Sequence, residues 1–252
     1  MIGPLDVIFI LAVPVIGWLA GALLNYLADV LPQTRKFSPA TCHQCEARRT
    51  ALDFLFLRRC SSCQTPRTMR AWIVMLAALA GVVILAIIPP PAVGFWISLV
   101  IFLYLAVVFI IDVEHRAILH EVSIVGVLIA IPFGLWLNGW EKTLIGLLVG
   151  GGVMLGLYYF GILFNRWMAK RRGQEIDEVA LGFGDVILSA VLGIMLGWPR
   201  IFVCLFTAIL LGGLISGLYI LVMLLRKRYQ AFTAIPYAPF LVIAAVILIY
   251  MA

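Results

Sequence analysis

Charge is scarce in this chain. Only 12% of its 252 residues are Asp, Glu, Lys or Arg, against 64% hydrophobic ones, which is too little to cover a water-facing surface. A soluble globular protein and a disordered chain are both excluded. No Lys or Arg precedes Arg35, so the basic start of a cleavable signal peptide is missing and residues 7 to 31 are expected to stay in the membrane. The basic excess of +6 lies in short gaps between apolar runs, not on a soluble face interleaved with aromatics, which argues against nucleic acid as a partner. With three histidines, no His is paired with an obvious nucleophile. A strand, glycine turn and helix of the nucleotide-binding kind is also absent from the pattern.

What is present is a series of long apolar runs. They fall near 7 to 31, 72 to 89, 94 to 111, 121 to 137, 142 to 164, 180 to 198, 201 to 224 and 234 to 251. Each exceeds about 17 residues, the length that crosses a bilayer core as a helix and not as a barrel strand. The expected fold is therefore all-α: a polytopic membrane protein of about eight transmembrane helices. Alternate loops carry 16 of the 18 basic residues, and only Lys142 and Arg200 fall on the other side. Basic loops stay cytoplasmic, so the loop after the first helix faces the cytoplasm and both termini face away from it. Three parts follow: a first transmembrane helix (1–31), a cytoplasmic loop (32–70) and a membrane core of about seven helices (71–252).

The loop holds four of the five cysteines as Cys42-His43-Gln44-Cys45 and Cys60-Ser61-Ser62-Cys63. Two CxxC pairs separated by fourteen residues suit one tetrahedral thiolate zinc site, because each pair forms a tight knuckle and two knuckles can share an ion. A pair of disulfides is the competing reading, disfavoured by a reducing compartment. A loop this short cannot bury a core of its own, so zinc would supply its folding energy. Cys204 lies alone in an apolar helix and reads as a small buried hydrophobe.

Charges at membrane depth are costly and mark candidate sites. Asp112 ends the third helix in Phe109-Ile110-Ile111-Asp112-Val113-Glu114-His115-Arg116, and Asp185 opens the sixth in Leu181-Gly182-Phe183-Gly184-Asp185. The topology puts both at the cytoplasmic ends of their helices. Singly, each could be an interface carboxylate; together they make a pair that cannot both ionise cheaply and so shares a proton. One member is then base and the other acid, the arrangement that activates water against a peptide carbonyl. Gly182 and Gly184 remove side-chain bulk beside Asp185. The glycines at 17/21, 150–152, 193/197 and 213/217 have the spacing of close helix packing.

These residues resemble the type IV prepilin peptidases, membrane aspartic peptidases of the GxGD kind. Gly17-Trp18-Leu19-Ala20-Gly21-Ala22-Leu23-Leu24-Asn25 with Leu31-Pro32 is similar to the family's opening, the two CxxC pairs to its cytoplasmic zinc loop, Asp112 with Glu114-His115-Arg116 to its first active-site motif, Gly182-Phe183-Gly184-Asp185 to its second, and Ile235-Pro236-Tyr237-Ala238-Pro239-Phe240 to its C-terminal Ile-Pro-Phe-Gly-Pro segment. The resemblance implies removal of the short basic leader from membrane-anchored prepilin or pseudopilin precursors at the cytoplasmic face of a bacterial inner membrane. Asp112 and Asp185 would be catalytic; Gly182, Gly184, Glu114, Pro236 and Pro239 would support them. Asn25, Glu175, Asp177 and Glu178 are substrate-groove candidates, the acids being placed to attract a basic leader or simply to balance Arg171 and Arg172. Cys42, Cys45, Cys60 and Cys63 would hold structural zinc. The family's second activity, methylation of the new N-terminus with S-adenosylmethionine, is implied by resemblance alone. Departures from the pattern stand at Ala22, Val30, Leu119, His120 and Ile187, the last in place of a lysine that would favour ionisation of the pair.

Two other classes fit the composition. An inactive scaffold of a pilus or secretion machine would use the zinc loop for docking. A transporter would use the two aspartates as a proton or cation relay, but it calls for more polar residues in mid-helix than this chain has. Within the enzyme class, a protease cutting inside transmembrane helices would need deeper carboxylates.

Overall fold

The computed structural model describes residues 4–42, 44–172, 182–226 and 236–251, with side chains from residue 9 onward apart from those at 168, 169, 171 and 172. Its helices are α1 (Pro4–Thr34), α2 (Ala51–Leu55), α3 (Met69–Ile87), α4 (Gly94–His115), α5 (His120–Arg172), α6 (Phe183–Leu196), α7 (Arg200–Leu225) and α8 (Ala238–Tyr250). The chain divides into two compact units, Met1–Ile110 and Ile111–Ala252.

In the first unit α1 packs along α3 at its small residues. A Cβ on Gly17 would come within 3.0 Å of the Leu79 backbone, and one on Gly21 within 3.0 Å of the Met75 backbone. Asn25, fully buried, donates from Nδ2 to Gly21 O on its own helix and to Ala71 O at the start of α3. The loop after α1 is not an isolated finger. Phe54 of α2 is buried with Leu57, Ala40, Ala22, Val30, Ala71 and Met75, and the Trp18 indole N–H donates to Leu55 O at 2.6 Å. The loop thus borrows a core from the ends of α1 and α3, which corrects the expectation that a metal alone would have to fold it.

The second unit is built on α5 and α6. Two of the expected apolar runs, 121–137 and 142–164, form one long element broken at Gly139, whose φ of 76° and ψ of 169° lie where only glycine sits without strain. Asn138 beside the break donates to Met195 O at 3.0 Å, and the Trp198 N–H donates to Lys142 O at 2.9 Å, so both arms of α5 are tied to the end of α6. The helices touch backbone to backbone. A Cβ on Gly134, Gly146 or Gly150 would run into the carbonyl of Ile194, Gly193 or Ser189, and one on Gly193 into that of Gly146. Gly213 and Gly217 differ: among the described residues nothing lies within 4 Å of a Cβ built there, so no described helix packs closely on them.

Among the described residues five helices are long and apolar enough to cross a membrane, and α6 and α8 are shorter apolar helices. Counting α5 as two, eight apolar helices remain, but two of them fall short of the expected spans. At 14 and 13 residues, α6 and α8 rise only about 20 Å, against a hydrocarbon core of about 30 Å. Ten of the fourteen α6 residues are buried, so α6 is surrounded mostly by protein. Elsewhere the large apolar side chains of α5 and α7 stay exposed, Leu128, Leu148, Phe160 and Leu214 among them, as hydrocarbon-facing surfaces must.

Replacing Gly193 by Ala is expected to cost about 1–3 kcal/mol through overpacking. Gly213→Ala should stay within about 0.5 kcal/mol of wild type. Thermal unfolding in detergent checks the pair; equal shifts would contradict the α5–α6 contact.

Candidate active site

Among the described residues the buried polar and charged class holds two acids, Asp112 and Asp185, 5% and 8% exposed. Both belong to the second unit. Asp112 stands on the last turn of α4, where its carbonyl accepts from the Arg116 N–H at 2.8 Å and the chain turns through Arg116 with φ of 50°. Asp185 stands on the first turn of α6, whose N-cap is Gly182. The helix start suits Asp185, since a carboxylate there faces unpaired N–H groups and the positive end of the dipole, whereas Asp112 sits at the opposite, unfavourable end of its helix.

The surroundings of both groups are apolar, with few donors. Asp112 accepts from the Ala238 N–H at the start of α8, Asp185 accepts from the Gly182 N–H, and the two carboxyls lie within each other's electrostatic range. Asp112 Oδ2 is shut off from solvent with no hydrogen-bond partner among the described residues. Buried polar atoms in proteins are nearly always partnered, so this oxygen marks a place built for something else: a shared proton, a water or a substrate atom. The glycines of the second motif have separate tasks. A Cβ on Gly184 would meet Ile118 Cβ at 2.8 Å, and one on Gly182 would sit 3.4 Å from Asp185 Oδ2. Gly184 therefore lets α6 close onto the α4–α5 connection, while Gly182 leaves space at the carboxylate itself.

Pro239 occupies the first turn of α8, where its missing N–H costs nothing, and Pro236 precedes it. The segment they shape delivers the Ala238 N–H to Asp112. Tyr237 between them brings a hydroxyl that is buried without a partner and lies within electrostatic range of Asp185. In the sequence Tyr237 appears only as part of the proline segment, with nothing to single out its hydroxyl. Glu114 is exposed. Asn25 lies in the first unit, where it ties α1 to α3. Glu175, Asp177, Glu178 and His43 fall outside the described residues.

The four loop cysteines converge in the first unit, with their Sγ atoms all within 4.8 Å of one another. Cys42 and Cys63 are 3.6 Å apart and Cys45 and Cys60 3.5 Å. A tetrahedral ion with bonds of about 2.3 Å sets its sulfurs about 3.8 Å apart, so the cluster fits such an ion with little adjustment. The two knuckles repeat one backbone pattern: the N–H of Glu46 donates to Cys42 O and that of Gln64 to Cys60 O, while Cys42 and Cys60 donate to the carbonyls of Ala47 and Thr65. Glu46 and Gln64, at matching positions, share positive φ values of 55° and 57°.

The thiols are not equivalent. The backbone of Gln44 and then the Arg49 guanidinium bring Cys42 down to about 5. Cys45 is eased by the backbone of Ala47, yet the neighbouring thiols and burial push it up to about 12. Hydrogen bonds from Thr65 lower Cys63. A cluster in which some thiols ionise readily and another resists is one that an ion would complete, since ligation requires all of them as thiolates.

A further group escaped sequence reading because its members are distant in the chain. Asp29, one turn beyond Asn25, accepts from Arg67 at 3.0 Å and from Arg70 at 2.5 Å. Arg67 lies over the Phe54 ring at 4.1 Å, with a side chain 7% exposed; burial lowers its proton affinity and the Asp29 charge opposes that. This pins the loop to α1. Asp29→Ala leaves a buried guanidinium unpaired and should cost about 2–3 kcal/mol, read by thermal unfolding through the fluorescence of Trp18. An unchanged melting point would contradict the pinning role.

Residues 99–217 match the model of the type IV leader peptidase family, a segment that contains both aspartates. A prepilin leader peptidase/N-methyltransferase of Aeromonas hydrophila is 29% identical over 227 residues, covering 86% of this chain and 72% of its own length. One from Aeromonas salmonicida strain A449 is 29% identical over 214 residues, covering 81% and 68%. No solved structure matches. The chain is thus similar to the type IV leader peptidase family over residues 99–217 and to these Aeromonas enzymes over most of its length.

Proposed function

We propose that this chain is a membrane aspartic endopeptidase that removes the short basic leader from type IV prepilin-like precursors at the cytoplasmic face of a bacterial inner membrane. The observation that carries the reading is the pair itself: two buried carboxyls from α4 and α6, within each other's field, one with an oxygen that has no partner. Like charges so placed hold one proton between them. The ionised member takes a proton from water as the water oxygen bonds to the scissile carbonyl carbon. The protonated member gives its proton to the carbonyl oxygen. Collapse of the tetrahedral intermediate breaks the C–N bond, the proton taken from water passes to the departing amine, and a hydroxyl of the intermediate returns its proton to the aspartate that donated one. No covalent enzyme intermediate is required.

A precursor held by its own apolar helix brings its leader to the depth of these helix ends, so membrane confinement supplies part of the orientation. Cys42, Cys45, Cys60 and Cys63 would hold zinc, whose contribution is the folding of the loop. Methylation of the new N-terminus with S-adenosylmethionine is part of the proposal on the strength of the relatives' names. Transfer of a labelled methyl group to the processed product tests it; unlabelled product would remove that half. The acids Glu175, Asp177 and Glu178, set among basic residues before the second motif, are proposed to attract the leader. Reversing all three to Lys should raise KM severalfold at low salt, with the effect fading as salt screens it; an unchanged KM would leave them a solvated loop.

The test of the function is direct. The purified chain in proteoliposomes should shorten a co-reconstituted type IV prepilin, and should not cut a precursor whose hydrophobic helix has been deleted. A verified, inserted precursor left intact would move the scaffold and transporter readings ahead.

A further inference from the structure

Tyr237 is the residue before α8. Its ring has ordinary packing partners: it meets the Phe240 ring edge-on at 6.4 Å, and its Cε2 lies 3.6 Å from a Cβ built on Gly212. A phenylalanine would make the same contacts. The hydroxyl is the unexplained part, for it is closed off from solvent and has no hydrogen-bond partner among the described residues. Leaving a hydroxyl in that state is unfavourable, and tyrosine in apolar surroundings ordinarily finds a partner for its O–H.

The position of this hydroxyl supplies a reason. The next residue, Ala238, donates its N–H to Asp112, and Tyr237 feels the charge of Asp185. Two residues of this region thus carry buried orphans, Tyr237 Oη and Asp112 Oδ2. A buried orphan calls for a partner, a water in the resting protein and a substrate atom in the working one. A phenol can only complement such a pair as a donor, because the carboxyls already supply the acceptors.

Resting on the peptidase reading above, we infer that Tyr237 is a third catalytic group, its hydroxyl donating a hydrogen bond to the scissile carbonyl oxygen as negative charge builds on it. The phenol keeps its proton throughout; the proton that reaches the carbonyl oxygen comes from the aspartate pair. A donor aimed at developing charge in a dry site strengthens most in the transition state.

The experiment uses the full chain in proteoliposomes with an inserted prepilin, comparing wild type, Tyr237→Phe, Asp185→Asn and the double variant, each also melted in detergent without substrate. Tyr237→Phe should lower kcat about tenfold to a hundredfold with KM changed less than about twofold, while its melting point stays equal to or above that of wild type. A kcat equal to wild type overturns the inference, as does a kcat loss matched by a fall in melting point. The melting points of the four proteins form a cycle that needs no activity: non-additive shifts support an oxygen shared by Tyr237 and Asp185, and additive shifts overturn it. If wild type fails to cut a verified precursor, the peptidase reading falls on that result and the cycle alone decides whether Tyr237 and Asp185 act on one oxygen.

Discussion

Asp112→Asn and Asp185→Asn are each expected to lose at least about a thousandfold in prepilin processing, and the double variant should be no worse than the poorer single one. Non-additivity is the informative part. Each amide keeps the shape of a carboxyl and removes the buried charge, so neither variant should unfold; the melting point should hold or rise, since burying a charge is unfavourable without a full set of partners. Neither amide can take a proton from water and return it to the amine. A pair that works by passing one proton back and forth is finished once either member is lost. Multiplicative losses in the double variant would mean two independent contributions, and a variant retaining activity would identify its aspartate as a helix-end carboxylate only.

The second large effect belongs to the cysteine cluster. The purified chain should carry about one zinc per molecule, and Cys60→Ser well under that, because three thiolates and a hydroxyl make a far poorer site for a borderline-soft ion. Cys60 is buried and its N–H holds the second knuckle closed on Thr65, so the variant should also expose the 40–66 segment to protease. The damage has a boundary. Trp18 on Leu55, Asp29 on Arg67 and the buried Phe54 still tie α2 to the first unit, and the membrane helices should keep their helical signal. Metal analysis with limited proteolysis checks both halves; a metal-free wild type, or a serine variant with full metal, would contradict the zinc assignment.

Much of this was legible in the sequence because the solvent is lipid. Where charge is scarce, the few buried acids stand out, and Asp112 and Asp185 were found by their position in apolar runs, without any knowledge of the packing. The CxxC spacing carried the cluster because a knuckle is a local structure. The run boundaries carried the helices, including the break that Gly139 makes between two of them. Three things were hidden, each for a tertiary reason. Within the described residues α6 and α8 are shorter than the apolar runs that contain them, and composition alone does not show burial. Glycine spacing is the same whether or not a helix faces it: Gly146 and Gly193 meet each other's backbone, while no described residue meets Gly213 or Gly217. Asp29 meets Arg67 across 38 positions, and Tyr237 lies within the electrostatic range of Asp185 across 52, distances over which no periodicity carries information. These are the places where a single sequence shows the residue and conceals the partner.

The most direct measurement is the intact mass of a prepilin incubated in proteoliposomes with wild type, Asp112→Asn or Asp185→Asn. A product shortened by its leader with wild type, and full-length precursor with both variants, is the result this account predicts. A shortened product with either variant, or an untouched precursor with wild type, would contradict it.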